Sequence, residues 1–129
     1  MSDKFKVEII SPEQKILNTE ASEVTIPSYE GQMGILKDHI PLITFLRPGF
    51  ISVKNQVESK YFVEEGTVEF SDNSLLILTS TAKEVKDMDK NLLELIIDDA
   101  EKKIKSEDVT DKEKYLLSYK IDSLKNINR

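Results

Sequence analysis

The sequence predicts an antiparallel β-sandwich or barrel followed by an α-helical hairpin. Three observations carry this expectation. Up to about residue 86, apolar residues recur with period two in short runs separated by Pro, Gly, Asn and Asp. From Asp87 the period changes to that of amphipathic helix. A polar break at Ser106-Glu107-Asp108 then divides the helical part in two. The expected domains are residues 1–86, all β, and residues 87–129, the hairpin.

Taken in order, Phe5, Val7 and Ile9 alternate with Lys6 and Glu8 until Ser11-Pro12-Glu13 ends the run. Val24 and Ile26 alternate with Glu23 and Thr25 ahead of Pro27 and Ser28. Between Gly31 and Gly49 lie three of the four glycines, two of the four prolines and the only histidine. Such residues fix the backbone path, and the stretch reads as a shaped loop. Arg47-Pro48-Gly49 turns into a short strand from Phe50 to Val53. Asn55-Gln56 separates it from a strand at Val57 to Glu64, with Val57, Tyr61 and Val63 on one face. Gly66 opens a strand from Thr67 to Phe70, Ser71-Asp72-Asn73 turns the chain, and Leu75 to Thr79 reads as a buried strand.

In the second part, Asp89 is placed to cap a helix running to about Lys105, with Leu93, Ile96, Ile97, Ala100 and Ile104 along one side. Thr110 starts a second helix, and Glu113 three residues later completes a capping box. Leu117, Ile121 and Leu124 form its apolar stripe, with Leu116 and Ile127 near the edge. A short loop between two amphipathic helices favours an antiparallel hairpin.

Composition narrows the function classes. A net charge of −6 argues against general affinity for nucleic acid or anionic lipid. The absence of cysteine excludes disulfides and thiolate metal sites. The first residues carry no signal-peptide core, and no apolar run approaches the roughly 20 residues of a membrane span. Charge is uneven: residues 1–86 carry −4, residues 87–109 another −4, and residues 110–129 carry +2. The final helix is thus the one segment suited to an acidic partner, although charge alone favours a solvated helix face.

Catalytic machinery is hard to assemble. His39, beside Asp38 and before Ile40-Pro41, has no identified nucleophile to serve and reads as a structural hydrogen-bonding residue. Gly31 and Gly34 are not followed by Gly-Lys-Ser/Thr, so no phosphate loop is formed. Asp87-Met-Asp-Lys-Asn91 begins like a calcium loop, but Leu92 occupies the glycine position and Asp98 the bidentate glutamate position. Capping by Asp89 explains it better. No cofactor or metal is expected.

With both parts placed, the chain resembles the epsilon subunit of F-type ATP synthases over nearly its whole length. The likeness begins at Phe5-Lys-Val-Glu-Ile-Ile-Ser-Pro-Glu-Gln14 and is strongest at Glu30-Gly-Gln-Met-Gly-Ile-Leu-Lys-Asp-His-Ile-Pro-Leu-Ile-Thr44 followed by Leu46-Arg-Pro-Gly49. Glu65-Gly-Thr-Val-Glu69 and Leu75 to Ala82 resemble the family's later strands. The resemblance implies a β-sandwich of about ten short, mainly antiparallel strands and a C-terminal antiparallel helical hairpin. It further implies a non-catalytic rotor subunit that binds the gamma subunit and rests on the c-ring, peripheral to the cytoplasmic face of a bacterial inner membrane. Ser28, Tyr29, Glu30, Gly31 and Gln32 resemble the family's c-ring contact, with His39 in or beside it. At position 32 many relatives carry glutamate.

By resemblance, the hairpin folds against the sandwich or extends along gamma toward the catalytic beta and alpha subunits, where it blocks ATP hydrolysis. Lys112, Lys114, Lys120, Lys125 and Arg129 would then face an acidic segment of the catalytic subunits. Some members bind ATP through Leu/Ile-Asp-x-x-Arg-Ala. Here Met88-Asp89-Lys90-Asn91-Leu92-Leu93 keeps the aspartate, but Leu92 replaces the arginine that meets phosphate. Weak or absent ATP binding is expected. A free-standing sandwich binding module with a helical lid is the alternative, and a small hydrolase around His39 is a third reading.

Overall fold

The computed structural model describes residues 3–127 of the chain. Among these residues, ten strands precede two α-helices. The strands are β1 Phe5–Ile10, β2 Lys15–Ala21, β3 Glu23–Ser28, β4 Gly31–Leu36, β5 Leu42–Leu46, β6 Gly49–Lys54, β7 Glu58–Val63, β8 Gly66–Ser71, β9 Ser74–Leu78 and β10 Lys83–Glu84. The helices are α1 Lys90–Ile104 and α2 Asp111–Lys125, entered through a short 3-10 turn at Val85–Asp87.

Hydrogen bonding links the strands in the order β10-β7-β6-β3-β5-β8-β9-β1-β2, with β4 paired to β3. The β1–β9 pair is parallel and the others are antiparallel. The sheet curls over to make two layers. Its narrow joint is β3–β5, which share one registered pair, Ser28 with Leu46. Alternation then decides what enters the core. Phe5, Val7 and Ile9 of β1, Val24 and Ile26 of β3, Ile51 and Val53 of β6, and Leu75 and Ile77 of β9 pack in one cluster. Phe5 and Phe70 meet edge to face at 5.6 Å between ring centres. A β-sandwich of ten mainly antiparallel strands with a C-terminal hairpin is therefore the observed fold.

The hairpin forms as its caps direct. The Asp89 carboxylate accepts from Leu92 N–H at 2.7 Å. Thr110 and Glu113 form the reciprocal box, at 3.1 and 3.3 Å. Leu93 and Ala100 of α1 and Leu124 of α2 are buried.

Two expectations need correction. The stretch from Gly31 to Gly49 is mostly strand, because β4 and β5 occupy it. Two glycines and an exposed Gln32 hide the β pattern of β4, whose pairing to β3 is nevertheless complete over six residues. Val57 lies in the turn before β7 and is 76% exposed, so it shares no buried face with Tyr61 and Val63.

Gly66 opens β8 at φ +155, in the region L side chains avoid. A Cβ there would lie 2.5 Å from the Leu78 carbonyl oxygen and 3.0 Å from Leu46 Cδ1. Strain and overlap together predict that Gly66→Ala costs about 2–4 kcal/mol. Urea denaturation checks this through a lowered midpoint at unchanged slope.

Candidate functional site

The β3–β4 connection is a tight hairpin in which Ser28 pairs with Gly31, leaving Tyr29 and Glu30 at its tip. Gly31 accommodates φ +124 there. Ser28 is fully buried. Its hydroxyl donates to the Gly31 carbonyl at 2.7 Å and accepts from Glu30 N–H at 3.2 Å. The turn is also tied to the next strand, since Tyr29 N–H donates to the Phe45 carbonyl at 3.2 Å and Arg47 N–H to the Pro27 carbonyl at 2.9 Å. Its backbone is held from both sides, while Tyr29, Glu30 and Gln32 stay exposed.

The hairpin lies on the outward face of the β6–β7 layer. Phe62 packs there with Met88, Leu93 and Leu124, and Phe50, Ile96, Ile97 and Ile127 complete the cluster. Lys120 Nζ lies 2.6 Å from Glu64 Oε1 with its side chain mostly covered, joining α2 to the end of β7. Aromatic side chains make a second seat. Tyr29 stacks on Tyr115 at 6.2 Å, and Tyr115 meets Tyr119 at 4.9 Å. The Arg47 guanidinium lies 3.9 Å over the Tyr119 ring, and its Nη1 donates to the Tyr115 hydroxyl at 3.3 Å. A polar groove runs between α2 and β6, lined by Lys54, Glu58 and Lys60 among others. The Ser52 hydroxyl donates to Glu58 at 2.7 Å, and this bond holds the Glu58 carboxyl below the ordinary range against the opposing effect of burial.

The opposite layer presents an uncovered apolar face. Thr44 and Leu46 of β5 point inward, so Ile43 and Phe45 point out and are 75% and 56% exposed. Register sets Phe45 beside Thr67 and Thr67 beside Leu78, itself 46% exposed. Ile40, in the β4–β5 connection, is also exposed, at 74%.

The predicted site residues divide accordingly. Ser28, Tyr29, Glu30, Gly31 and Gln32 come together in one turn. His39 does not join them, which corrects its expected place in or beside that loop. It follows β4 at the strand's far end, about 16 Å of extended chain from the turn. There its Nδ1 donates to the Ile40 carbonyl at 2.7 Å and its ring stands edge-on to Phe70 at 5.9 Å. Lys112 and Lys114 are exposed, Lys120 pairs with Glu64, and Lys125 pairs with Glu101 on α1 at 3.0 Å. Arg129 lies outside the described residues. Asp89 is occupied as a helix cap, and Leu92 is half-buried beside it. No group of three or more acidic or histidine side chains placed to hold a metal occurs among the described residues.

Sequence reasoning missed Arg47, Tyr115 and Tyr119. The signal was present in the i,i+4 spacing of the two tyrosines. At 3.6 residues per turn they lie roughly 180° from the Leu117–Ile121–Leu124 stripe.

The family model for the ATP synthase delta/epsilon chain β-sandwich domain matches residues 4–85. The ATP synthase epsilon chain of Pelagibacter ubique is 47% identical, over 99% of this chain and 100% of its own length. That of Parvibaculum lavamentivorans is 32% identical over 98% of this chain and 97% of its own. A chain of the Euglena gracilis mitochondrial ATP synthase, solved with its c-ring, superposes with a TM-score of 0.81 at 21% identity, covering 97% of this chain and 81% of that one. The sandwich, its hairpin and the family match together define a chain of the delta/epsilon class. Full-length identity to the first two relatives then fixes the assignment: the chain belongs to the ATP synthase epsilon-chain family.

Removing the Ser28 hydroxyl leaves the Gly31 carbonyl and Glu30 N–H without their partner. Ser28→Ala is expected to lower stability by about 1–3 kcal/mol. Amide exchange at Glu30 should rise with it, and denaturant titration read alongside exchange checks both effects.

Proposed function

We propose that this chain is a non-catalytic central-stalk subunit of a rotary ATP synthase, linking c-ring rotation to the catalytic head and restraining ATP hydrolysis through its hairpin. The carrying observation is the uncovered apolar face of Ile43, Phe45 and Leu78. One outer face of the sandwich is covered from within the chain and the other is not, as a protein seated permanently on a partner requires. Gamma is the partner proposed for this face. The turn Ser28–Gln32 adjoins this face at Phe45 and is proposed to rest on the c-ring. Gln32 makes that contact without a charge at its position.

No helix among the described residues is long and apolar enough to cross a membrane. Attachment is therefore assigned to the complex, at the cytoplasmic face of a bacterial inner membrane. The engagement of His39 with Ile40 and Phe70 supports a structural role over catalysis. Leu92 supplies no cation for phosphate, so tight ATP binding is not part of this reading. Lys112 and Lys114 face solvent with the hairpin docked, whereas Lys120 and Lys125 must leave Glu64 and Glu101 before they meet the acidic surface of catalytic beta and alpha subunits. A free-standing module with a helical lid gains nothing from the exposed face, which lies on the layer away from the hairpin.

Phe45→Glu places a charge in the exposed face without disturbing the core. Recovery of gamma from solubilised membranes should fall roughly tenfold or more, as for loss of an aromatic anchor. Unchanged recovery sinks the gamma assignment. A second variant, Lys112→Glu with Lys114→Glu, should raise ATP hydrolysis of the assembled enzyme by weakening the restraint; hydrolysis equal to wild type would remove these lysines from it.

A further inference from the structure

The β3–β4 turn and the hairpin share one side chain. Tyr29 stands at the tip of the turn, yet its ring stacks on Tyr115 of α2. The contact is open, with Tyr29 and Tyr115 each 39% exposed. Arg47, whose N–H donates to the Pro27 carbonyl at the base of the same turn, carries Tyr119 and the Tyr115 hydroxyl. One end of the sandwich therefore supplies both anchors for the tyrosine side of α2. The opposite side of that helix is committed elsewhere, through Leu124 to Leu93, Met88 and Phe62.

We infer that a partner seated on the β3–β4 turn and the docked hairpin compete for Tyr29, so that engagement of the turn loosens the hairpin. The inference rests on the reading of the turn as a c-ring contact. The turn backbone is pinned by Ser28 and by the β5 carbonyl, which leaves the Tyr29 ring as its adjustable part. A partner that turns this ring toward itself removes it from Tyr115 and leaves Arg47 as the one anchor on the tyrosine side of α2. Linkage makes the effect reciprocal: whatever factor the partner takes from docking, a released hairpin returns to partner binding. An aromatic contact of this kind is worth about a three- to tenfold factor in the docking equilibrium. That is enough to bias a marginal equilibrium and too little to fix it.

Two measurements on the full chain test this. In the isolated protein, Tyr29→Ala and Tyr115→Leu should each speed amide exchange along α2 about three- to tenfold, with β6 and β7 unchanged. Unchanged α2 exchange in either variant overturns the inference whatever the turn binds. In the second, the gamma-bound chain is titrated onto purified c-ring. Tyr115→Leu, which leaves the turn itself intact, should bind tighter than wild type by the same factor. Equal or weaker binding overturns the competition. Failure of the wild-type chain to bind c-ring under conditions where gamma is retained sinks the c-ring reading and the partner's half of the inference with it.

Discussion

Strand β7 buries Tyr61, Phe62 and Val63 in succession, although neighbouring side chains on a strand point to opposite faces. Tyr61 and Val63 enter the sandwich core. Phe62 points the other way, toward what would be water, and is 2% exposed because the hairpin covers it. Burying such a ring is worth about 1.5–3 kcal/mol. Much else follows from this one outward phenylalanine. Phe50, opposite it in register, joins the same patch edge to face at 5.8 Å. Met88 is buried as the chain crosses from sheet to helix, and Leu93 and Leu124 aim at the same spot from two helices. The location of the hairpin is set by β7 more than by its own sequence.

The parts of the fold legible in the sequence were those with local rules. Alternation at Phe5, Val7 and Ile9 and the caps at Asp89 and Thr110 need no distant partner to be read, and each formed as expected. β4 and β2 were not legible for physical reasons. β4 gains its order from six registered pairs with β3, so its glycines cost little propensity that pairing does not restore. β2 is an edge strand with one half-buried face, and Lys15, Asn18 and Glu20 blur its period. Phe62 was legible only as an exception to alternation, since nothing local says what covers it. The candidate site divides in the same way. The turn Ser28–Gln32 could be read as one unit because it is contiguous. His39 was misplaced because four further residues of β4 and a turn stand between, and a loop reading folds that distance away. Arg47 was read only as a turn residue, since its ring partners lie 68 and 72 positions further along the chain.

The hairpin is built so that leaving its seat need not undo it. Its caps are internal: Asp89 and Thr110 are satisfied by α1 and α2 themselves, and Lys125 ties α2 to Glu101 of α1. None of these bonds involves the sandwich. What holds the pair down is the Phe62 patch, the Lys120–Glu64 bridge and the Tyr29–Arg47 contacts, each a small term. A partly covered ion pair and two exposed aromatic contacts add about 1–3 kcal/mol to the patch. Release would therefore expose Phe62 and the hairpin's apolar side together, leaving two capped helices of 15 residues that are marginal alone in water. Such a unit is costly to leave in water and favourable to place elsewhere, so its position depends on which apolar surface is offered. Under the proposed reading, the stalk and catalytic subunits offer one, and the sandwich keeps its own as the competitor.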